Sequence, residues 1–302
     1  KGRFVDKGNG TFLSAGKDGD GTLKVDKIWY QFPVGDSLQV WVGPRIENYY
    51  MLASAPSIYK PVTKQFALGG NASTYGSSTS PGFGAAYTQS VDDPSDGRFA
   101  LSMNYTGKGG ASSTAGLLDE DSQEFFLTKV EYGTPQWQVS AALAKKTNGD
   151  GYDAYYHTTQ GQNYSTDITS IGLRAYWRPD ETGAIPEVQV GYDTVSVDNA
   201  AVGDPDEMDA WMVGLGWKDL FIDGNRAGVA FGSRQAATSF NGTPTAAEGA
   251  EDNTVWEAYY TFKVNDGVSV TPAVFGGNDV DSTAGSSVGD VNGAVLLTEF
   301  RF

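Results

Sequence analysis

Residues 256–264 have the sequence WEAYYTFKV, and the turn Asn265-Asp266-Gly267 follows them directly. Every second residue of this stretch is apolar: Trp256, Ala258, Tyr260, Phe262 and Val264. Alternation with a period of two is typical of a β-strand with one apolar face, because successive side chains point to opposite faces. Asn, Asp and Gly together favour a tight turn. The stretch therefore predicts a strand that leads into a hairpin.

The same alternation recurs along the chain, whereas helical spacing is almost absent. It predicts strands at about 22–33, 37–46, 81–90, 98–106, 123–132, 136–146, 166–178, 186–197, 207–218, 225–236, 252–264, 268–278 and 290–302. A weaker strand near 3–15 brings the total to about fourteen. We therefore predict an all-β protein.

The connections between these strands predict an up-and-down barrel. Those that begin at residues 34, 91, 133, 179, 219 and 265 are short, whereas those at 47–80, 107–122, 147–165, 198–206, 237–251 and 279–289 are long and polar. An up-and-down barrel with turns at one edge and loops at the other requires such alternation, and a β-sandwich does not. Both chain ends then lie at the short-turn edge, as in outer-membrane barrels.

The two faces of the strands can be interpreted in two ways. In a soluble sandwich the apolar face is the core, and in a membrane barrel it meets lipid while the other face lines a lumen. The second face is rich in Gly, Ala, Ser, Gln and single charges, and aromatic residues mark the strand ends. We therefore predict a transmembrane antiparallel β-barrel in the lipid bilayer of the outer membrane, with interfacial aromatics at Trp137, Trp177, Trp211, Trp217, Trp256 and Phe302.

Composition excludes several kinds of function. The 302 residues include no Cys, one His, 37 acidic and 21 basic residues, for a formal net charge of −16. Zero Cys excludes disulfides and thiolate sites, and a single His excludes sites that need two imidazoles. A chain this acidic repels phosphate backbones, so we expect no nucleic-acid partner.

Two motifs suggest chemistry at first sight, and we set both aside. Asp18 and Asp20 resemble the start of a calcium loop, but Leu23 stands where such a loop needs Gly. His157 lies in a predicted loop without the serine partner of a hydrolytic triad. We therefore expect no metal, no cofactor and no enzymatic activity.

The alternation also predicts which side chains face the lumen. The predicted pore-lining residues are Arg45, Arg98, Lys129, Arg174, Arg178, Glu187, Arg226, Arg234, Glu257 and Arg301. Charges inside a pore set its ion preference. They can equally pair across strands and hold the barrel's shape, and both interpretations stay open. Many of the acidic residues lie in links or at strand ends, so lumen and loops favour ions of opposite sign.

The longest link, 47–80, is more apolar than an exposed loop should be. It carries Tyr49, Tyr50, Tyr59 and Phe66. We predict that it folds into the barrel and narrows the pore, with contact to other loops or to another subunit as the alternative.

A resemblance to a known family appears in residues 23–44, LKVDKIWYQFPVGDSLQVWVGP. This stretch resembles the hairpin L-x-x-L-Y-Y-x-F-P-L-G-D-x-L-x-V-x-V-G of cyanobacterial outer-membrane porins. These belong to the OprB-like carbohydrate-selective porins and are often labelled iron-uptake porins. Residues 82–87 and the closing strand 290–302 also resemble strands of these porins.

The resemblance implies a sixteen-stranded barrel, a homotrimer and an N-terminal S-layer-homology domain that binds cell-wall polymer. We expect residues 1–302 to form a single barrel domain without that domain and without about the first two strands. The expected function is a porin that passes small hydrophilic solutes and inorganic ions by diffusion. The alternative is a secreted or surface β-rich adhesin, and the family labels leave a sugar, an inorganic ion and iron open as the solute.

Overall fold

The computed structural model describes residues 25–70, 74–76, 79–119, 121–148, 167–244, 253–281 and 289–301. The strands are β1 Ile28–Val34, β2 Leu38–Ile46, β3 Ser80–Thr88, β4 Arg98–Gly107, β5 Glu124–Gly133, β6 Trp137–Lys146, β7 Asp167–Trp177, β8 Glu187–Asp198, β9 Pro205–Lys218, β10 Arg226–Gly232, β11 Ala236–Phe240, β12 Thr254–Asn265, β13 Val268–Asp281 and β14 Gly289–Phe300. Within the described ranges the only helices are short 3-10 turns at Asn48–Tyr50, Lys64–Gly69 and Lys108–Ala111.

The strands form one antiparallel up-and-down sheet. Each strand from β1 to β10 pairs with the next in the chain, and β10, β12, β13 and β14 continue the series. Strand β11 pairs with β9 beyond the end of β10, so β10 and β11 together occupy one position in the sheet. The prediction of an all-β, up-and-down fold is confirmed, while the predicted weak strand near 3–15 lies outside the described residues.

Turns and loops alternate between the two edges of the sheet, as predicted. One edge carries the links 35–37, 89–97, 134–136, 178–186, 219–225 and 266–267, and we call it the short-turn edge. The opposite, long-link edge includes residues 47–79, 108–123 and 199–204. The link 199–204 is shorter than 89–97, because β8 and β9 extend further at that edge than the sequence pattern indicated. The length of a link alone therefore does not tell in every case at which of the two edges it lies.

The large apolar side chains lie on the exposed face of the sheet, which is the reverse of the arrangement in a soluble protein. In β9, Trp211 is 37% and Val213 40% exposed, whereas Ala210 and Met212, which alternate with them, are buried. The same alternation in β6 exposes Val139 and Leu143 and buries Ser140 and Ala142. Large apolar side chains thus point outward, and small or charged ones point inward. This arrangement is typical of a barrel whose exterior meets lipid.

The apolar exterior is bounded by aromatic side chains. Trp137 and Trp177 lie directly opposite each other at the short-turn edge. Nearer the long-link edge, the rings of Trp211 and Phe231 are in contact, with centroids 5.6 Å apart. Trp256 stands opposite Phe231 on the neighbouring strand. A strand rises about 3.3 Å per residue, so the stretch from Trp256 to Val264 is about 26 Å long. That length suits a tilted strand crossing an apolar band about 25 Å tall.

Among the described residues, no helix is both long enough and apolar enough to cross a membrane. This finding concerns helices alone.

Candidate functional site

The concave face of the sheet holds the link between β2 and β3, residues 47–79, which we call the internal segment. It is described except for residues 71–73, 77 and 78. Its side chains Met51, Tyr59, Phe66 and Tyr75 are buried. Because it contacts inward-facing side chains of strands as distant as β4 and β12, the sheet curves around it. Four anchors, each built on buried polar side chains, fix the internal segment to the wall.

The first anchor is a reciprocal contact between two buried amides, Asn48 of the internal segment and Asn104 of β4. The Asn48 Nδ2 donates to Asn104 Oδ1 at 2.7 Å, and Asn104 Nδ2 donates to the carbonyl oxygens of Asn48 and Met51, both at 3.2 Å. Thr106 Oγ1 donates to Asn48 Oδ1 at 2.9 Å. Both amides are thus satisfied away from water, which fixes the start of the internal segment.

The second anchor joins Ser54 to a buried ion pair in β5. Lys129 and Glu131 form a salt bridge, and both side chains are buried. Lys129 Nζ donates to the backbone oxygen of Ser54 at 3.1 Å and to its Oγ at 2.9 Å, and Ser54 Oγ donates to Glu131 Oε2 at 2.9 Å. A buried ion pair needs such extra hydrogen bonds to offset the loss of its hydration.

The third anchor is Glu257 of β12, whose side chain is fully buried. Its Oε1 accepts from Tyr59 Oη at 2.9 Å and from the Val62 backbone nitrogen at 3.1 Å. Its Oε2 accepts from the backbone nitrogen of Thr63 at 2.7 Å and from Thr63 Oγ1 at 2.6 Å. Burial, followed by the neighbouring charge of Glu257, raises the pKa of Tyr59 well above its usual range. The phenol therefore stays protonated and remains a donor.

The fourth anchor is Arg174 of β7 with Asp193 of β8. Arg174 Nη2 donates to both oxygens of Asp193, at 3.0 and 2.7 Å, and its Nε donates to the backbone oxygen of Leu68 at 2.9 Å. Its guanidinium also lies over the ring of Tyr75, 5.1 Å from the centroid. A Cβ at Gly191 would lie 1.6 Å from the Gly69 carbonyl oxygen, so only glycine lets the internal segment approach the wall here.

The predicted pore-lining residues fall into three groups by exposure. Lys129, Arg174, Arg234 and Glu257 are buried, Arg178 and Glu187 are half-buried, and Arg45, Arg98, Arg226 and Arg301 are exposed. A register irregularity between Gly43 and Ile46 shifts the alternation in β2. As a result Ile46 is buried, while Arg45 is exposed and donates from Nε to the Asp26 carbonyl oxygen at 3.0 Å. The role of these residues in conduction stays a prediction.

The aromatic residues predicted for the longest link divide in the same way. Tyr59 and Phe66 are buried and meet edge to face, with centroids 6.5 Å apart. Tyr49 is half-buried. Tyr50 is 38% exposed and stacks on Trp29 at 5.3 Å. The two later aromatics thus pack inside the sheet, and Tyr50 lies nearer its long-link edge.

Five of the six predicted interfacial aromatics lie within the described ranges. Trp137, Trp177 and Trp211 are exposed on the outer face. Trp217 and Trp256 are half-buried, and Trp217 Nε1 donates to the Ala184 carbonyl oxygen at 3.0 Å. Phe302 lies outside the described residues. Their position relative to a bilayer stays a prediction.

Sequence reasoning missed several residues that fix the internal segment. Asp193 and Glu131 were not singled out, although their position in the alternation places both on the inward face. Arg174 lies directly opposite Gly191, so Asp193 is its diagonal neighbour. That relation depends on strand register, which one sequence does not give. Asn48 and Asn104, 56 positions apart, carry no local signal at all.

Metal binding finds no support in the part of the chain that the structure describes, where no group of three His, Cys, Asp or Glu side chains could hold an ion. Asp18, Asp20 and His157, which the motif search considered, lie outside those residues. A cavity of about 330 Å³ lies at the short-turn edge of β1–β3, between Gln39, Thr88 and Leu52 of the internal segment.

Comparison with known proteins gives structural matches alone. No protein-family model matches the chain, and no curated protein matches it. The high-pH structure of OprB from Pseudomonas putida has a TM-score of 0.52 at 13% identity, over 90% of this chain and 71% of that one. A loop-deletion mutant of OmpT, an outer membrane protein of Vibrio cholerae, has a TM-score of 0.49 at 13% identity, over 88% and 76%.

At such low identity the likeness to OprB establishes the fold. Together with the apolar exterior, it identifies the chain as a β-barrel of the outer-membrane type. The predicted transmembrane barrel and its outer-membrane location are thereby confirmed at the level of the fold.

Proposed function

We propose that this protein is an outer-membrane porin, a passive channel for small hydrophilic solutes and inorganic ions that the internal segment narrows. The observation that carries the proposal is the set of four anchors on the inward face. A wall that is apolar outside and polar inside suits a water-filled passage. Diffusion through such a passage needs no catalytic group and no cofactor.

Narrowing is supported by the course of the internal segment across the concave face. The Ala53 backbone nitrogen donates to Ser102 Oγ of β4 at 2.9 Å. Ile58 donates from its backbone nitrogen to Gln189 Oε1 of β8 at 3.0 Å, and Thr63 reaches Glu257 of β12. Wall strands that are far apart in the sheet are therefore bridged by one short stretch of chain. A stretch so placed reduces the cross-section open to solutes.

Family membership, assembly and solute are further parts of the proposal. The hairpin at 23–44 supports an OprB-like carbohydrate-selective porin, and OprB of Pseudomonas putida shares the fold. A cyanobacterial source, a homotrimer and a cell-wall-binding domain outside this chain rest on the sequence resemblance alone. A sugar, an inorganic ion and iron stay open as alternatives for the solute.

Liposome swelling tests the proposal directly. The folded protein is reconstituted into liposomes, which are diluted into isotonic solutions of arabinose, glucose, sucrose and raffinose. A narrowed passive channel predicts swelling that slows steeply from the smallest sugar to the largest. Empty liposomes and liposomes with heat-unfolded protein are the controls. Folded protein that remains soluble without detergent and gives no swelling would instead support the secreted adhesin.

A further inference from the structure

Six basic side chains lie together on the inward wall at the short-turn edge, and we call them the mouth belt: Arg98, Arg178, Lys218, Arg226, Lys263 and Arg301. Arg98 and Arg226 begin β4 and β10, and Lys218 ends β9. Their inward direction follows from the alternation, because the buried residues Ala100 and Ala230 share the faces of Arg98 and Arg226. The belt thus forms an arc around one mouth of the barrel.

The charge of the mouth belt is only partly neutralised. Glu187 is shared by two cations, with its Oε1 at 3.2 Å from Arg178 Nε and 2.5 Å from Lys218 Nζ. Arg226 lies directly opposite Lys218 on the neighbouring strand. Among the described residues, no carboxylate forms an ion pair with Arg98 or Arg226. Lys263 pairs with Asp266 at 2.8 Å, and Arg301 lies 3.6 Å from Glu299. Arg98 and Arg226 are therefore the members of the belt that form no ion pair with a described carboxylate.

Charges deeper in the barrel are arranged differently. Lys129 pairs with Glu131 and Arg174 with Asp193, and all four side chains are buried against the internal segment. Their opposite charges cancel, and burial removes them from the path of a passing ion. The mouth belt is more accessible by contrast, with more than a third of the side-chain surface of Arg178, Lys218 and Lys263 in contact with solvent.

Acidic residues also occur at this edge, but they belong mostly to the turns. Asp93 and Asp180 are exposed in the links 89–97 and 178–186. The carboxylate of Asp219, which interacts electrostatically with Arg226 and Lys218, accepts from the Gly224 backbone nitrogen at 2.7 Å. Exposed charges in bulk solution are screened over about 8–10 Å at physiological salt. Wall charges act on an ion within the confined mouth, where low-dielectric walls focus the field.

We propose that the mouth belt is an anion-recruiting site, which makes the channel prefer small inorganic anions to cations. This inference rests on the proposed channel function. The ligand class is chloride and the inorganic oxyanions, and a guanidinium fork suits an oxyanion such as phosphate particularly well. Arg98 and Arg226 are the residues that determine the preference for anions, because Glu187 pairs with Arg178 and Lys218 and not with them.

Reversal potentials across a potassium chloride gradient in planar bilayers test the inference. Wild type is compared with the double variant Arg98→Gln/Arg226→Gln. The matched control is Lys145→Gln, which removes one positive charge from the exposed outer side of β6. We expect wild type and the control to prefer chloride. In the double variant, the permeability ratio of chloride to potassium should fall about four- to ninefold per charge. A unit charge about 6–10 Å away in water changes the local concentration of each ion by a factor of about two to three, in opposite directions for chloride and potassium.

A second readout separates recruitment from general conduction. Millimolar phosphate added on the short-turn side should reduce the chloride current of wild type and of Lys145→Gln, and much less that of the double variant. Cation preference in wild type, or equal ratios in wild type and the double variant, would overturn the inference and leave the channel intact. Folded, heat-modifiable protein without current steps would instead overturn the proposed function itself.

Discussion

Removing the Glu257 carboxylate is the sharpest perturbation of the internal segment. In Glu257→Ala, the two backbone N–H groups of Val62 and Thr63 and the hydroxyls of Tyr59 and Thr63 lose their buried acceptor. Each buried polar group without a partner costs about 1–3 kcal/mol. If water rescues half of these four groups, the closed position of the internal segment loses about 2–6 kcal/mol relative to a released one.

Release can be measured by chemical labelling, because the chain has no cysteine of its own. Ser57, which is buried in the internal segment, is replaced by Cys in both the wild-type and the Glu257→Ala background. Labelling by a water-soluble maleimide then requires local opening. Because 1.4 kcal/mol corresponds to a factor of ten, a loss of about 2–6 kcal/mol raises the labelling rate by about 30-fold to about 10⁴-fold.

Two controls make this result interpretable. Glu299→Gln removes a carboxylate whose only ion-pair partner among the described residues, Arg301 Nε at 3.6 Å, is itself exposed, so labelling should not change. Heat modifiability on gels shows whether each variant still forms the barrel. Equal labelling rates in Glu257→Ala and wild type, with both proteins folded, would refute the reasoning that this anchor holds the internal segment in place.

Three further predictions concern the wall itself. Lys129→Met should destabilise the barrel by about 3–5 kcal/mol, because Glu131 is left buried without its cation. Urea titration of the refolded protein measures the free energy of unfolding, and adding Glu131→Gln should restore most of the lost stability. Val213→Arg should cost about 2–4 kcal/mol of folding free energy in lipid vesicles, since Val213 faces outward, whereas Val213→Leu should be nearly neutral. The backbone N–H and hydroxyl of Ser95 donate to the Asp93 carboxylate and lower its pKa. This carboxylate stabilises its turn above the usual Asp pKa of about 3.9, and the contribution disappears as pH falls through the lower folded value; a carboxyl NMR titration should move towards 3.9 in Ser95→Ala.

Strand alternation predicted the fold and the direction of most side chains, because a period of two leaves no freedom once a strand is extended. Glu257, between Trp256 and Ala258, was placed inward on this basis and is buried there. The rule failed locally where the backbone departs from regular pairing. At Arg45 the register irregularity in β2 shifts the alternation; Gly43 and Pro44 lie at this place, and such residues are typical of bulges, but they do not tell which side chains change face.

The anchors of the internal segment were beyond sequence reasoning for a different reason. The apolar residues of the longest link indicated that it folds inward, since a water-exposed loop has no reason to carry them. Which wall residue each of them meets depends on how the whole sheet curves. Thr63 and Glu257 are 194 positions apart, and only the three-dimensional course of the chain brings them within 2.6 Å.

Single-channel recording in planar bilayers tests the central claim, a water-filled barrel narrowed by the internal segment. Wild-type protein should give stepwise current increases of uniform size, and Glu257→Ala should give larger and less steady steps. Folded, heat-modifiable protein that inserts into bilayers without any steps would contradict the account.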